Sequence, residues 1–169
     1  MSTTTSAPAE ARWLDDREQA AWRSVVAFMR ALASGMEQQL AAEGVSGADF
    51  QLLVPLSEGP AEGLRARDLG VAVGWDRSRL SHQLRRMQQR GLVSRGSCSD
   101  DARGIVVQIT PAGRDLVERV APSHVAWVLQ AIFEVLSDDE VATFAALCRR
   151  LSERVTLQPS AECDDGGTA

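Results

Sequence analysis

The chain contains no lysine, and all eighteen of its cationic residues are arginine. Arginine suits bidentate contacts to carboxylate, phosphate and guanine. The bias runs through the whole chain, however, and a GC-rich coding sequence is its simplest source. Cysteine is scarce: Cys98, Cys148 and Cys163 are an odd number without a Cys-x-x-Cys spacing, which excludes a disulfide framework and a zinc site. His82 and His124 are too isolated to hold a metal. No apolar run approaches the roughly 18 residues needed to cross a bilayer, and no basic-then-apolar leader opens the sequence. A soluble cytoplasmic protein with no membrane partner is expected. Glycine-rich phosphate loops, nucleophile elbows and paired metal ligands are missing too, so neither an enzyme nor a cofactor is expected.

What remains is an ordinary apolar content, 44% over 169 residues, enough for one domain or one domain with a dimerisation extension. The formal net charge is −5, which argues against a nucleic-acid partner until its distribution is read. Between Leu64 and Gly104 nine arginines face four aspartates, nine minus four or +5, so the rest carries −10. The positive field is concentrated on one element.

Along the chain, residues 1–12 and 158–169 read as disordered polar tails. Asp15 and Glu18 are spaced as a capping pair for a long helix to about Ala42, stopped by Gly44. Trp22, Val25, Val26, Met29, Leu32, Met36 and Leu40 recur along it at helical spacing. A second helix follows Ser46, with Phe50, Leu53 and Leu56 buried, a kink at Pro55 and an end at Gly59-Pro60. Arg65 to Val73 is a short helix, Gly74 a turn, and Asp76 the cap of a basic helix ending at Arg90-Gly91. Leu92–Arg95 and Ile105–Ile109 are strand-like and joined by a polar loop. Thr110-Pro111 opens a helix towards Leu136, bent or split at Pro122. Ser137 to Glu140 forms a capping box for the last helix. The expected fold class is mainly α, a winged helix-turn-helix with a helical dimerisation region, in the order α-α-α-α-β-β-α-α. The domains expected are a dimerisation helix at 13–45, a DNA-binding region at 46–110 and dimerisation helices at 111–157.

A helix, a glycine turn, a basic helix and a two-stranded ribbon form a device for setting one helix in the DNA major groove with a loop beside it. At 100° per residue, Leu80, Leu84 and Met87 share the inward side of the basic helix. Ser78, His82, Arg85 and Gln89 lie opposite, flanked by Arg79, Ser81 and Arg86. From Arg77 to Arg90 there is no acidic residue, although a merely solvated helix gains from mixing Glu with its Arg. Arg77, Ser78, Ser81 and His82 occupy the turns that enter the groove and reach base edges. Arg85 and Arg86 are assigned to phosphate. Arg103 at the loop tip fits a narrow minor groove, with Asp101 holding its guanidinium.

These features together resemble the MarR (multiple antibiotic resistance regulator) family of winged helix-turn-helix transcription factors. The resemblance is carried by Asp76-Arg-Ser-Arg-Leu-Ser-His-Gln-Leu-Arg-Arg-Met87, Arg90-Gly-Leu-Val93, Asp101-Ala-Arg103 and Ile109-Thr-Pro-Ala-Gly113. It spans Trp13 to Leu157 and implies a homodimer with interlocked terminal helices on pseudo-palindromic double-stranded DNA. In many members it also implies a small aromatic or phenolic effector. On that picture Trp22 and Val26, with Phe50 and Leu53, line the effector pocket. Trp75 is bulkier than the residue the family pattern suggests there and reads as packing.

Two other functions are weighed: a winged-helix protein-interaction module docking an acidic partner, and a thiol switch at Cys98. Asp100 and Asp101 would raise the Cys98 pKa and oppose the second. Trp13, Trp22 and Trp127 read as core or dimer interface, and Cys148 as buried packing.

Overall fold

A computed structural model describes residues 12–97 and 105–156. The chain divides into two compact units at Glu118. The first opens with α1 (Asp16–Ala42), whose capping box is formed as the spacing predicts. Asp15 accepts from the Glu18 amide at 2.8 Å and Glu18 accepts from the Asp15 amide at 3.0 Å. Next come α2 (Gly47–Glu58), β1 (Leu64–Arg65), α3 (Ala66–Val73), α4 (Arg77–Gln89), β2 (Val93–Ser97) and β3 (Ile105–Ile109). Ser46 caps α2 by accepting from the Asp49 amide. That helix continues through Pro55, its tolerated proline removing one backbone bond.

The sheet has three strands rather than the two expected, in the order β1-β3-β2 and antiparallel throughout. Leu64 pairs with Val107 and Arg65 with Val106. A two-residue strand has too little alternation to show in a sequence, and its partner lies more than forty residues away. Beneath the sheet, Leu52, Leu53 and Leu56 of α2, Leu69 of α3, and Leu80, Leu84 and Met87 of α4 form one buried cluster with Leu92, Val93 and Val107. Each buried side chain of this size contributes about 1.5–3 kcal/mol relative to exposure, so this cluster anchors α4 from its inner side.

The joint after β3 explains the Thr-Pro-Ala-Gly motif. The Thr110 hydroxyl donates to the Gly91 carbonyl at 2.6 Å and accepts from the Gly113 amide at 3.1 Å. A Cβ at position 113 would run into the Leu92 carbonyl oxygen, so glycine is required for this approach.

Helix α5 (Pro111–Ala131) crosses the division between units. It is not split at Pro122; the break comes later, in a 3-10 turn at Phe133–Val135. One missing N–H was outweighed by the bonds on either side. In the second unit α6 (Asp138–Thr156) follows, with both the amide and the hydroxyl of Ser137 donating to Glu140 at 2.9 and 2.8 Å. This contact holds the Glu140 carboxyl below its usual range, the amide bond first and the hydroxyl second. Cys148, expected to be buried, is exposed, because the apolar side of α6 carrying Leu147, Leu151 and Val155 is itself uncovered in the single chain. No single described helix is long and apolar enough to cross a membrane.

Candidate nucleic-acid interface

The turn before α4 requires a left-handed residue, and Gly74 supplies it at φ 68° and ψ 31°. Two backbone bonds close the turn, Gly74 to Val71 and Trp75 to Gly70. Asp76 then caps α4, its carboxylate accepting from the Arg79 amide at 2.9 Å. The capped helix begins with cationic residues and has no acid in its first turn.

Helix α4 has two unlike faces. Leu80, Leu84 and Met87 are buried in the core as the angular reading predicts. Arg77, Ser78, Arg79, Ser81, His82, Arg85 and Arg86 are all exposed along the other side. Seven potential contacts to base or phosphate are thereby presented together. Asp101 and Arg103 of the loop, and Cys98, lie outside the described residues.

Trp75 is half-buried against the core, in keeping with its reading as packing, yet it does more. The Arg79 guanidinium stacks over its ring, 4.0 Å from the centroid. Such a stack confines a flexible arginine while leaving its edge donors free. Nearby, Arg95 of β2 donates to Gln88 at 2.7 Å, tying the ribbon to the end of the helix. Arg65, Arg67, Arg77 and Arg95 line one cleft of about 710 Å³ whose apolar walls include Val71, Trp75 and Leu80. Cationic side chains thus gather where α3, α4 and the ribbon meet.

The expected effector residues are divided by burial. Trp22 is exposed and Val26 half-buried on α1, whereas Phe50 and Leu53 are buried on α2. Leu53 belongs to the core cluster itself.

One group escaped the sequence reading. Asp49, in the first turn of α2, has no exposed surface. Its Oδ1 accepts from Gln83 Nε2 at 2.7 Å, and its Oδ2 forms a short ion pair with Arg90. The available signal was Gln83, which sits three residues after Leu80 and four before Met87, on the buried side of a helix otherwise apolar there.

Comparison with known proteins agrees with this geometry. A model described as MarR family matches residues 43–104. AbsC from Streptomyces coelicolor, a MarR family transcriptional regulator, superposes with a TM-score of 0.83 at 34% identity, over 88% of this chain and all of that one. The chain belongs to the MarR family. A second family member from the same organism, Sco3205, was solved in complex with DNA. It matches with a TM-score of 0.83 at 36% identity, over 89% of this chain and 94% of its own. The HTH-type transcriptional repressor YetL of Bacillus subtilis is 26% identical over 122 residues, 72% of each chain. This MarR family chain is therefore a transcriptional regulator whose winged helix-turn-helix is the family's fold.

Proposed function

We propose that this MarR family regulator is a homodimeric repressor that binds a pseudo-palindromic operator and is released by a small, largely apolar or aromatic effector. The observation that carries the DNA-binding part is the exposed, carboxylate-free cationic face of α4, backed by a buried apolar stripe on the same helix. Arg77, Ser78, Ser81 and His82 read base edges. Arg79, Arg85 and Arg86 act from the flanks, Arg85 and Arg86 on phosphate. Arg103, supported by Asp101, reaches the minor groove.

Dimerisation is favoured by apolar surface left open on α1 and on the α5–α6 segment. Trp22, Val25 and Met29 are exposed on the first, and Leu129, Leu147 and Leu151 on the second. Surface of this kind is costly in a monomer, and a second copy removes it from water. Effector control follows from spacing, since the two recognition helices must lie about 34 Å apart to enter successive major grooves. A ligand held by Trp22, Val26, Phe50 and Leu53, the residues the family resemblance suggests, alters that spacing only by its differential affinity for the two arrangements.

A gel-shift on the promoter region beside its own gene, repeated over a salt series, tests the reading. A sequence-dependent shift that weakens steeply with salt is expected. Binding to an acidic protein partner without binding to duplex DNA would favour the protein-interaction alternative instead. Thermal shift and gel-shift together on aromatic compounds test the effector. Ligands that occupy the site without changing operator affinity would remove the spacing mechanism.

A further inference from the structure

We propose that Asp49 is a positioning residue for DNA recognition, fixing the axial and rotational setting of α4 through Gln83 and Arg90. This rests on the assignment of α4 as the recognition helix. Asp49 touches none of the face that meets DNA; it acts from behind.

Asp49 is far in sequence from both partners, 34 residues from Gln83 and 41 from Arg90. Gln83 lies within α4 and Arg90 is its C-cap, seven residues or about two turns on, so the two lie on one side and about 10 Å apart along the axis. One carboxylate therefore holds the middle and the end of the helix, one oxygen for each. Hydrogen bonds have narrow tolerances in distance and angle, whereas the driving force of apolar burial has no direction of its own. Two directed bonds restrict both the shift of α4 along its axis and its roll.

Burying a carboxylate is expensive unless it is paired, and here the cost is reduced in two ways. Asp49 lies in the first turn of α2, where the helix dipole favours negative charge. It is also supplied with a neutral and a cationic donor, and no buried side-chain polar atom among the described residues is left without a partner. A well-packed apolar trio would serve stability as well or better. What the polar trio adds is orientation, and orientation is what base reading demands of α4.

The experiment starts by selecting the preferred site of the wild-type protein from a pool of random duplexes. Affinity for that site is then compared with affinity for an unrelated duplex of equal length. The principal variant is the triple Asp49→Leu, Gln83→Leu, Arg90→Met, which keeps apolar volume and removes the directed bonds. It is expected to keep the wild-type melting temperature within a few degrees and its unrelated-duplex affinity within about threefold. Its affinity for the preferred site is expected to fall about ten- to hundredfold, the scale of a mismatched base pair. Asp49→Asn, which keeps an acceptor for Gln83 and loses the charge opposite Arg90, decides the matter if the triple variant does not fold. It is expected to lose about fivefold at the preferred site alone. Wild-type affinity for the preferred site in the folded triple variant, or in Asp49→Asn, overturns the proposal. Equal losses on both duplexes in Arg90→Met, with a salt slope lower by about one, and no loss in Asp49→Asn overturn it as well, because Arg90 is then a phosphate contact. A wild-type protein that selects no sequence at all would instead remove the DNA reading of α4, and the proposal with it.

Discussion

Two helices of the first unit carry apolar stripes at helical spacing, and only one of them is covered. In α4, Leu80, Leu84 and Met87 are almost wholly inside, with Leu84 at 2% exposure. In α1, Trp22 is 56% and Met29 51% exposed, and Leu40 alone of that helix is buried. Periodicity announces that a helix has an apolar side; it does not say where the covering surface comes from. For α4 the cover is folded from neighbouring segments of the same chain, α2, α3 and the sheet. For most of α1 the described chain supplies no such cover, and in the proposed dimer a second copy would supply it. On that proposal, stability of the recognition helix and stability of assembly are written in the same kind of residue pattern, at different addresses.

The largest test of this contrast is Leu84→Ala, expected to cost about 2–5 kcal/mol in urea unfolding, independent of assembly, because it leaves a cavity in a packed core. A Trp22→Ala loss of the same size that did not vary with protein concentration would break the comparison. Next, Trp22→Glu with Met29→Glu is expected to weaken self-association about a hundredfold, near 2.7 kcal/mol, leaving the secondary structure intact. Sedimentation velocity measures it, and a stable wild-type monomer at micromolar concentration would defeat the dimer.

On the outer side of α4 the effects are smaller. Arg77→Ala and His82→Ala should each reduce operator binding about tenfold, within the range of a lost base contact, and spare unrelated DNA. Arg86→Ala should weaken both about threefold and lower the salt slope by about one. A change in sequence preference with an unaltered slope would reverse the division between reading and positioning contacts. The smallest effect belongs to Glu140. Its carboxyl is held below the usual 4.5 by the Ser137 amide and hydroxyl. The folded form therefore binds a proton less readily than the unfolded one, and the stabilisation is present above that value and lost as pH falls through the lower, folded one. A melting-temperature advantage over Glu140→Gln should be present at neutral pH and vanish in acid. An advantage independent of pH would show that the cap does not act through charge.

Features decided within a few residues are legible in the sequence. The caps Asp15, Ser46 and Asp76, the turn at Gly74, and the two faces of α4 all follow from local spacing. What escaped depends on encounters far along the chain. Strand β1 exists because Leu64 meets Val107, and Asp49 matters because Gln83 and Arg90 return to it. In the sequence Asp49 looks like one more acid near a helix start. The exposure of Cys148 was misread for a related reason: an apolar helix side was taken as already covered. The exposed face of α4 could be read from spacing and charge, whereas the stack of Arg79 on Trp75 needed the turn geometry to be seen.

That stack also makes the recognition helix optically legible. An indole beside a guanidinium emits differently from one whose cation has been drawn away, so Trp75 reports on Arg79 without any added label. With Trp13, Trp22 and Trp127 replaced by phenylalanine, Trp75 remains as the lone indole. Its emission then follows, in real time and in a single cuvette, whether Arg79 stays on the ring or leaves it when DNA arrives.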